Sequence, residues 1–323
     1  MKKLLLLLLC FGASCAYANT SIIFNDSWVD GGLTDGTDAT DIAWYGSTGS
    51  SALDSNSYTA ANNFLSARSG PSGRGFHGVF NSQSIANAGD KITVTYSFTT
   101  PATVGDKSTA LKVGFFNSNG ATAVNPNNDT NGAPRATVGA PIHTQSSLGS
   151  SDDGWDTVYG EAVDLDANYS GPGVSNFGFK SKTSSVSTGR LLNSSQDWTS
   201  QGSNVDGAYT IVANTSYVGT FSIENVGSDL YDLSATISSG GAVLASETRE
   251  GKTIATNAFD IIAFNHSSNA FGSTNGAGVA DNGLDYTNIQ ASFTQVVPEP
   301  SAYALLLGGV AVMLAVARRK QRA

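Results

Sequence analysis

Short runs of strict two-residue alternation, set between turn residues, constrain this chain more than any other feature. Ile92, Val94, Tyr96 and Phe98 alternate with Thr93, Thr95, Ser97 and Thr99. Successive side chains of an extended strand point to opposite faces, so this run makes one apolar face and one hydroxyl-bearing face. Asn87-Ala88-Gly89-Asp90 turns the chain into it and Pro101 closes it. Leu111, Val113 and Phe115 repeat the pattern; so do Tyr217, Phe221 and Ile223, then Tyr231, Leu233, Ala235 and Ile237. Val226-Gly227-Ser228-Asp229 lies between the last two runs and predicts a hairpin. Ser239-Gly240-Gly241 leads into a further strand, Ala242–Glu247. Phe259–Phe264 and Asp285–Phe293 complete the set, and Ser21–Phe24 is the expected first strand. The body holds no long amphipathic helix; a short one is expected around Tyr58–Leu65. Many strands, turn-rich joints and no helical pattern predict an all-β fold, a β-sandwich. Residues 117–153, rich in Asn, Gly and Pro, are expected to form a long loop excursion.

The two ends have a different character. Lys2-Lys3, the apolar Leu4–Leu9 and the small-x-small triplet Ala16-Tyr17-Ala18 make an N-terminal signal peptide over 1–18, cut after Ala18. Cys15 after Ala13-Ser14 leaves an alternative open, lipidation of that cysteine, although Gly12 stands where an aliphatic residue is usual. At the other end, Ser301–Ala317 is an uncharged apolar run followed by Arg318-Arg319-Lys320-Gln321-Arg322. As a helix it would be about 25 Å long at 1.5 Å per residue, just enough to be a short transmembrane helix over 301–317. The cations after it belong in the cytoplasm, with the body on the other side. Pro298 and Pro300 fix φ and lack an N–H, so the segment entering the membrane should stay extended. The expected organisation is thus a signal peptide at 1–18, a β-sandwich at 19–295 and a C-terminal segment at 296–323.

Charge and cysteine use narrow the classes. The leader holds two of the 17 cations, and the tail holds four more together with one of the 26 acids. Eleven cations and twenty-five acids remain between them, a net charge of −14. A nucleic-acid binder would carry a basic footprint, so no nucleic-acid partner is expected. Both cysteines, Cys10 and Cys15, lie in the leader. With that cut the working protein has no disulfide, thiol nucleophile or thiolate metal site, and its core alone must hold it.

Two resemblances follow from these residues. Val297-Pro298-Glu299-Pro300, the short apolar span and the basic end with Arg318 and Arg319 resemble a PEP-CTERM sorting signal. That resemblance covers about the last 28 residues and implies recognition by an exosortase-type membrane protease of a Gram-negative bacterium. It further implies transient anchoring in the inner membrane, then release to the outer surface or extracellular matrix. The body is similar to a concanavalin-A-like jelly roll found in surface proteins that carry such tails. The resemblance rests on Asp26-x-x-x-Asp30-Gly31, Asp41-Ile42-Ala43-Trp44-Tyr45, Gly89-Asp90-Lys91-Ile92-Thr93-Val94 and Phe259-Asp260 with Gly283-Leu284-Asp285-Tyr286-Thr287. These are turn-and-strand motifs rather than a site signature. Such folds resemble lectins and glucanases, which makes a glycan, for instance an exopolysaccharide, the expected ligand class.

Catalytic patterns are weak. Paired carboxylates on one strand face could serve as nucleophile and acid, and Glu161-Ala162-Val163-Asp164-Leu165-Asp166 is the nearest candidate. Glu161 and Asp164 are three apart and should face opposite ways; Asp164 and Asp166 share a face but lack a second glutamate. His77, His143 and His266 have no metal-ligand spacing and are read as loop or edge residues. Asp30, Asp35, Asp38 and Asp41, joined by Asp285 from the last strand, offer hard oxygen ligands for Ca²⁺; the same loop without a metal is the alternative. Of the four tryptophans, Trp44 reads as core, whereas Trp155 and Trp198 sit among polar residues on expected loops and are the candidate glycan contacts. No catalytic residue is assigned. The leading expectation is a non-catalytic, exported surface or biofilm-matrix protein with weak glycan binding; a polysaccharide hydrolase or lyase is the alternative.

Overall fold

A computed structural model of the chain describes residues 16–29, 42, 44–46, 58–61, 63–67, 74–105, 107–118, 124–125, 135–136, 158–167, 177–182, 192, 198–202, 209–266, 270–272 and 283–298. Short pieces of the tail at 308–310, 312–313 and 318–319 are also described. The strands are β1 (Ala16–Asp26), β2 (Trp44–Gly46), β3 (Tyr58–Ala61), β4 (Phe64–Ala67), β5 (Arg74–Ser84) and β6 (Lys91–Thr99). Then come β7 (Lys107–Asn117), the two-residue β8 (Val124–Asn125) and β9 (Arg135–Ala136), β10 (Tyr159–Ala167), β11 (Phe177–Lys182) and β12 (Trp198–Ser200). The last are β13 (Ser216–Gly227), β14 (Leu230–Ser239), β15 (Ala242–Lys252), β16 (Ala258–His266) and β17 (Leu284–Pro298).

These strands form a sandwich of two antiparallel sheets. The eight-stranded sheet runs β15-β14-β13-β6-β17-β4-β3, with β1 also on β17; the seven-stranded sheet runs β12-β11-β10-β7-β16-β5-β2. The chain repeatedly crosses from one sheet to the other, as from β5 to β6 to β7 and from β15 to β16 to β17. The expected sandwich is therefore present, and its crossing connections are wound as in a jelly roll.

Alternation builds the core between the sheets. In β6 Ile92, Val94, Tyr96 and Phe98 are buried while their hydroxyl neighbours face outward. Leu111, Val113 and Phe115 of β7 meet Phe221 of β13 and Phe259 of β16. At the other end, Trp44, Phe76, Phe264 and Tyr286 form a chain of rings with centroids 5.0–5.5 Å apart. His266 of β16 clasps the two sheets together, its Nε2 2.6 Å from the Tyr286 hydroxyl of β17. Asp26 is buried with Trp28 and Trp44, accepting the Trp28 N–H at 2.8 Å and the Trp44 Nε1–H at 2.6 Å.

Turn chemistry sets the hairpins. The two residues between β13 and β14, Ser228 and Asp229, both have φ of 57°, and Gly240 and Gly241 between β14 and β15 have φ of 58° and 82°. Positive φ at both central positions makes the tight turn whose twist matches the strands, and glycine takes it without strain.

Several expectations are corrected. The helix expected around Tyr58–Leu65 is instead the hairpin β3–β4, with Ala60 opposite Leu65; a run too short to repeat a helical period pairs as strands. The first strand is longer than Ser21–Phe24 and begins at Ala16. His77 and His266 are buried strand residues rather than loop or edge ones, and His143 lies outside the described residues.

The pairing of β1 with β17 brings the two ends of the sandwich together. Ala16 lies opposite Pro298, Tyr17 opposite Val297 and Ala18 opposite Val296. The backbone entering the proline motif is extended, as proline at the end of a strand allows. Glu299 and Pro300 lie outside the described residues; Arg318 and Arg319 are exposed and helical. Among the described residues, no helix is long and apolar enough to cross a membrane.

Candidate functional site

The outward face of the seven-stranded sheet is unlike an ordinary solvated face. In β7 and β10 residues on both faces are buried. Cross-strand register defines its rows. One row runs Gly75–Asn265–Lys112–Asp164–Gly178 across β5, β16, β7, β10 and β11. Another runs Val79–Ile261–Phe116–Gly160–Lys182–Trp198, from β5 to β12. The second row is mostly apolar and is the base of a separate cluster of Phe116, Ala162, Ile261 and Ala263, covered by Val158 and Leu192.

Small residues make this row possible. A Cβ on Gly160 would come within 2.4 Å of the Phe116 ring, and one on Gly114 within 2.8 Å. Phe116 fills that space and meets the edge of Trp198, with centroids 5.9 Å apart and planes at 84°. Trp198 is half-buried, and its Nε1 has no hydrogen-bond partner among the described residues. Beside it the Lys182 side chain is fully buried and donates from Nζ to the Val158 carbonyl at 2.8 Å.

The polar row carries the charge. Asp164 is almost fully buried and accepts a close hydrogen bond from Lys180 Nζ. Lys112 lies directly opposite Asp164 on β7. Burial lowers the Lys112 ammonium from its ordinary value; Asp164 opposes that shift and Lys180 adds to it. Lys180, opposite Ala162 in the adjacent row, reaches across to Asp164 and is the part of this charged group that meets solvent, with about a third of its side chain exposed (34%).

The opposite, inward face of the same strands holds a second acid. Glu161 of β10 is fully buried opposite Ser181 of β11. Its Oε1 accepts Ser181 Oγ–H at 2.6 Å and the Ala255 N–H at 2.8 Å. Burial pushes this carboxyl up to about 8, offset in part by hydrogen bonds from Ser181, Ala255 and Gln201. Burial thus favours the protonated form of Glu161 at neutral pH; that it faces away from Asp164 is what their spacing predicts.

The sequence-derived candidates are thus partly gathered. Trp198 and Asp164 share one sheet face; Asp166 is half-buried, at the bulge where β10 leaves its register with β7. Trp198 sits on strand β12 rather than on a loop, because it pairs with Lys182 and packs on Phe116. Trp155, Asp30, Asp35, Asp38 and Asp41 lie outside the described residues. Asp285 is on the other sheet, opposite Ser66 and Thr99. Among the described residues, no group of three or more His, Cys, Asp or Glu could hold a metal ion. Three members of the site were missed in the sequence. Lys112 interrupts the apolar run Ala110–Phe116, and Lys180 and Lys182 alternate around Ser181, a spacing that puts both on one face.

No protein-family model matches the chain, and no curated protein matches it. Among solved structures, it is similar in outline to a protein of unknown function from Shewanella oneidensis MR-1, at 14% identity and a TM-score of 0.38, covering 92% of this chain and 95% of that one. It is also similar to an endo-1,3-beta-glucanase from Streptomyces sioyaensis, at 14% identity and a TM-score of 0.39, covering 85% and 96%. A third is the exoplasmic/lumenal domain of VIP36 in its Ca²⁺-bound form, at 10% identity and a TM-score of 0.45, covering 86% and 92%.

Proposed function

We propose that this chain is an exported surface or matrix protein that binds a glycan, without turning it over, on the outward face of its seven-stranded sheet. The observation that carries the binding reading is the Trp198 ring held edge-on by Phe116 on the sheet face that also bears Lys180, Asp164 and Lys112. An indole packs against the C–H face of a sugar ring, while a charged pair at its side can donate to and accept from hydroxyls. The reading as a binder rather than a hydrolase draws on the fate of the acids. Glu161 is committed to Ser181 and Ala255 inside the core, and Asp164 is held by Lys180, so these two do not flank a common space.

Export and processing are part of the same reading. The supports are the leader 1–18, the proline motif Val297–Pro300, the apolar span 301–317 and the basic end. Cleavage of the leader after Ala18 and of the tail at the proline motif, by an exosortase-type membrane protease, would leave the body free of both addresses. The strand pairing suits this: Asn19 lies opposite Gln295, three residues before Pro298, so both mature termini would lie together. Mass spectrometry of the protein recovered from its producing cells tests it. Ends at Asn19 and near Pro298 support the reading; an intact tail or a diacylglyceryl-Cys15 rules it out.

A further inference from the structure

The outward face of the eight-stranded sheet carries a regular array of small hydroxyl and amide side chains. One row crosses six strands, from β1 to β15: Asn25–Gln290–Thr95–Thr220–Thr236–Ser246. The next is Ser292–Thr93–Ser222–Ser234–Thr248. None of these positions is charged, although the body has a net charge of −14. Charge returns outside these two rows: Lys91 and Glu224 pair at 3.3 Å, Asp232 lies opposite Glu224, and Asp285 lies opposite Thr99.

The hydroxyls are tied to each other across strands. Thr220 and Thr236 are 2.5 Å apart, Ser234 and Thr248 2.9 Å, and Thr99 and Ser216 2.9 Å. A hydroxyl has one donor and two acceptor sites. Each pair consumes one donor and one acceptor, so it keeps one O–H and three lone pairs for a partner. Threonine adds a methyl beside each oxygen, giving alternating polar and apolar spots.

We propose that this face is a second binding surface, for an uncharged, extended polysaccharide chain lying across the strands. Three features select that occupant. The two rows are neutral, while the net-acidic body repels anionic polymers. Their groups both donate and accept, which a polyhydroxyl ligand can match in full, whereas a phosphate or a carboxylate would use the donors alone. Strand spacing makes the row about 24 Å long, with a step close to the length of one pyranose residue. Sheet twist turns the row by about 100° over its six strands. A flat crystalline surface could not follow that turn; a single flexible chain can. This inference takes from the proposed function only that the protein works among glycans outside the cell; it uses none of the Trp198 site.

The test is native gel electrophoresis of the full-length protein in mild detergent, through gels cast with laminarin, hydroxyethyl cellulose or soluble starch, with alginate as the anionic comparison. At least one neutral glycan should retard the wild type. Thr220→Lys should weaken that retardation about tenfold or more, and Thr220→Val, which keeps the shape and loses the hydroxyl, by a smaller factor. Trp198→Ala should leave this component in place. Thermal melts of each variant show whether the fold is kept, and Thr95→Lys replaces Thr220→Lys if that one melts early. Retardation equal to wild type in both lysine variants overturns the inference, as does a wild type retarded by none of the three neutral glycans. Binding that depends on Trp198 alone gives the first of these results and leaves the other site standing.

Discussion

Asp164 and Lys180 form a close ion pair across β10 and β11, on a sheet face where Asp164 is almost wholly buried. Lys112 stands on the other side of the same carboxylate and is itself buried. Two lysines thus share one acid, and the acid is what makes burying Lys112 tolerable. Removing one member of a buried pair leaves an uncompensated charge, which costs more than the pair itself gains.

Asp164→Asn should therefore destabilise the protein by about 1–3 kcal/mol, less than for a fully buried pair because Lys180 is partly in solvent. Urea unfolding checks this. The double variant Asp164→Asn with Lys112→Met should recover part of the loss, since the stranded ammonium is gone.

Glu161 gives a pH prediction of definite sign. Its carboxyl is raised from 4.5 to about 8 in the folded state. Between those values the unfolded chain has lost the proton and the folded one keeps it, so this group's contribution is full below pH 4.5 and is lost as pH rises to 8. Glu161→Gln keeps the shape of the protonated acid. It should match wild type near pH 4.5 and exceed it in stability at pH 8–9, with the wild-type slope through that window reduced. Equal pH profiles for the two proteins would count against a protonated Glu161.

His266 acts in the opposite direction. Burial lowers it from 6.5 to about 3. Its contribution is full above pH 6.5 and is lost as pH falls toward 3, because the unfolded chain takes up the proton first. Tyr286→Phe removes the inter-sheet hydrogen bond to its Nε2 and should cost about 1–2 kcal/mol at neutral pH, measured by thermal or urea melts.

Tyr96 and Gly219 face each other across β6 and β13, and a Cβ on Gly219 would come within 2.2 Å of the tyrosine ring. Gly219→Ala should destabilise by about 1–3 kcal/mol through overpacking. The Tyr96 hydroxyl is buried with no hydrogen-bond partner among the described residues. Tyr96→Phe should thus be neutral or stabilising by up to about 1 kcal/mol, the reverse of the usual effect of trimming a core tyrosine.

The sandwich was legible because alternation and turn residues agree along β6, β13 and β14. Ile92–Thr99 and Tyr231–Ile237 could be read as half-buried strands, and Gly240-Gly241 as the turn from the second of these into Ala242–Glu247. Tyr58–Leu65 was not legible, since its pairing as β3 and β4 is a tertiary choice that local pattern does not record. That Glu161 and Asp164 face opposite ways was legible in their spacing; which of them is buried in the core was not. The site face was not, because β7 and β10 are buried on both sides and alternation disappears there. Lys112 within Ala110–Phe116, and Lys180 and Lys182 on either side of Ser181, were the visible signs that this face holds something polar. Trp198 was singled out by composition, but only its register opposite Lys182 and its contact with Phe116 place it on this face.

The most direct test of glycan binding at Trp198 is calorimetric titration of the full-length protein with a panel of soluble glycans, repeated for Trp198→Ala and Lys180→Ala, with reducing ends assayed in the same samples. The account predicts saturable binding to at least one glycan, weakened about tenfold or more by Trp198→Ala and to a lesser extent by Lys180→Ala, with no reducing ends released. Binding unchanged in both variants, or glycan cleavage by the wild type, would contradict it.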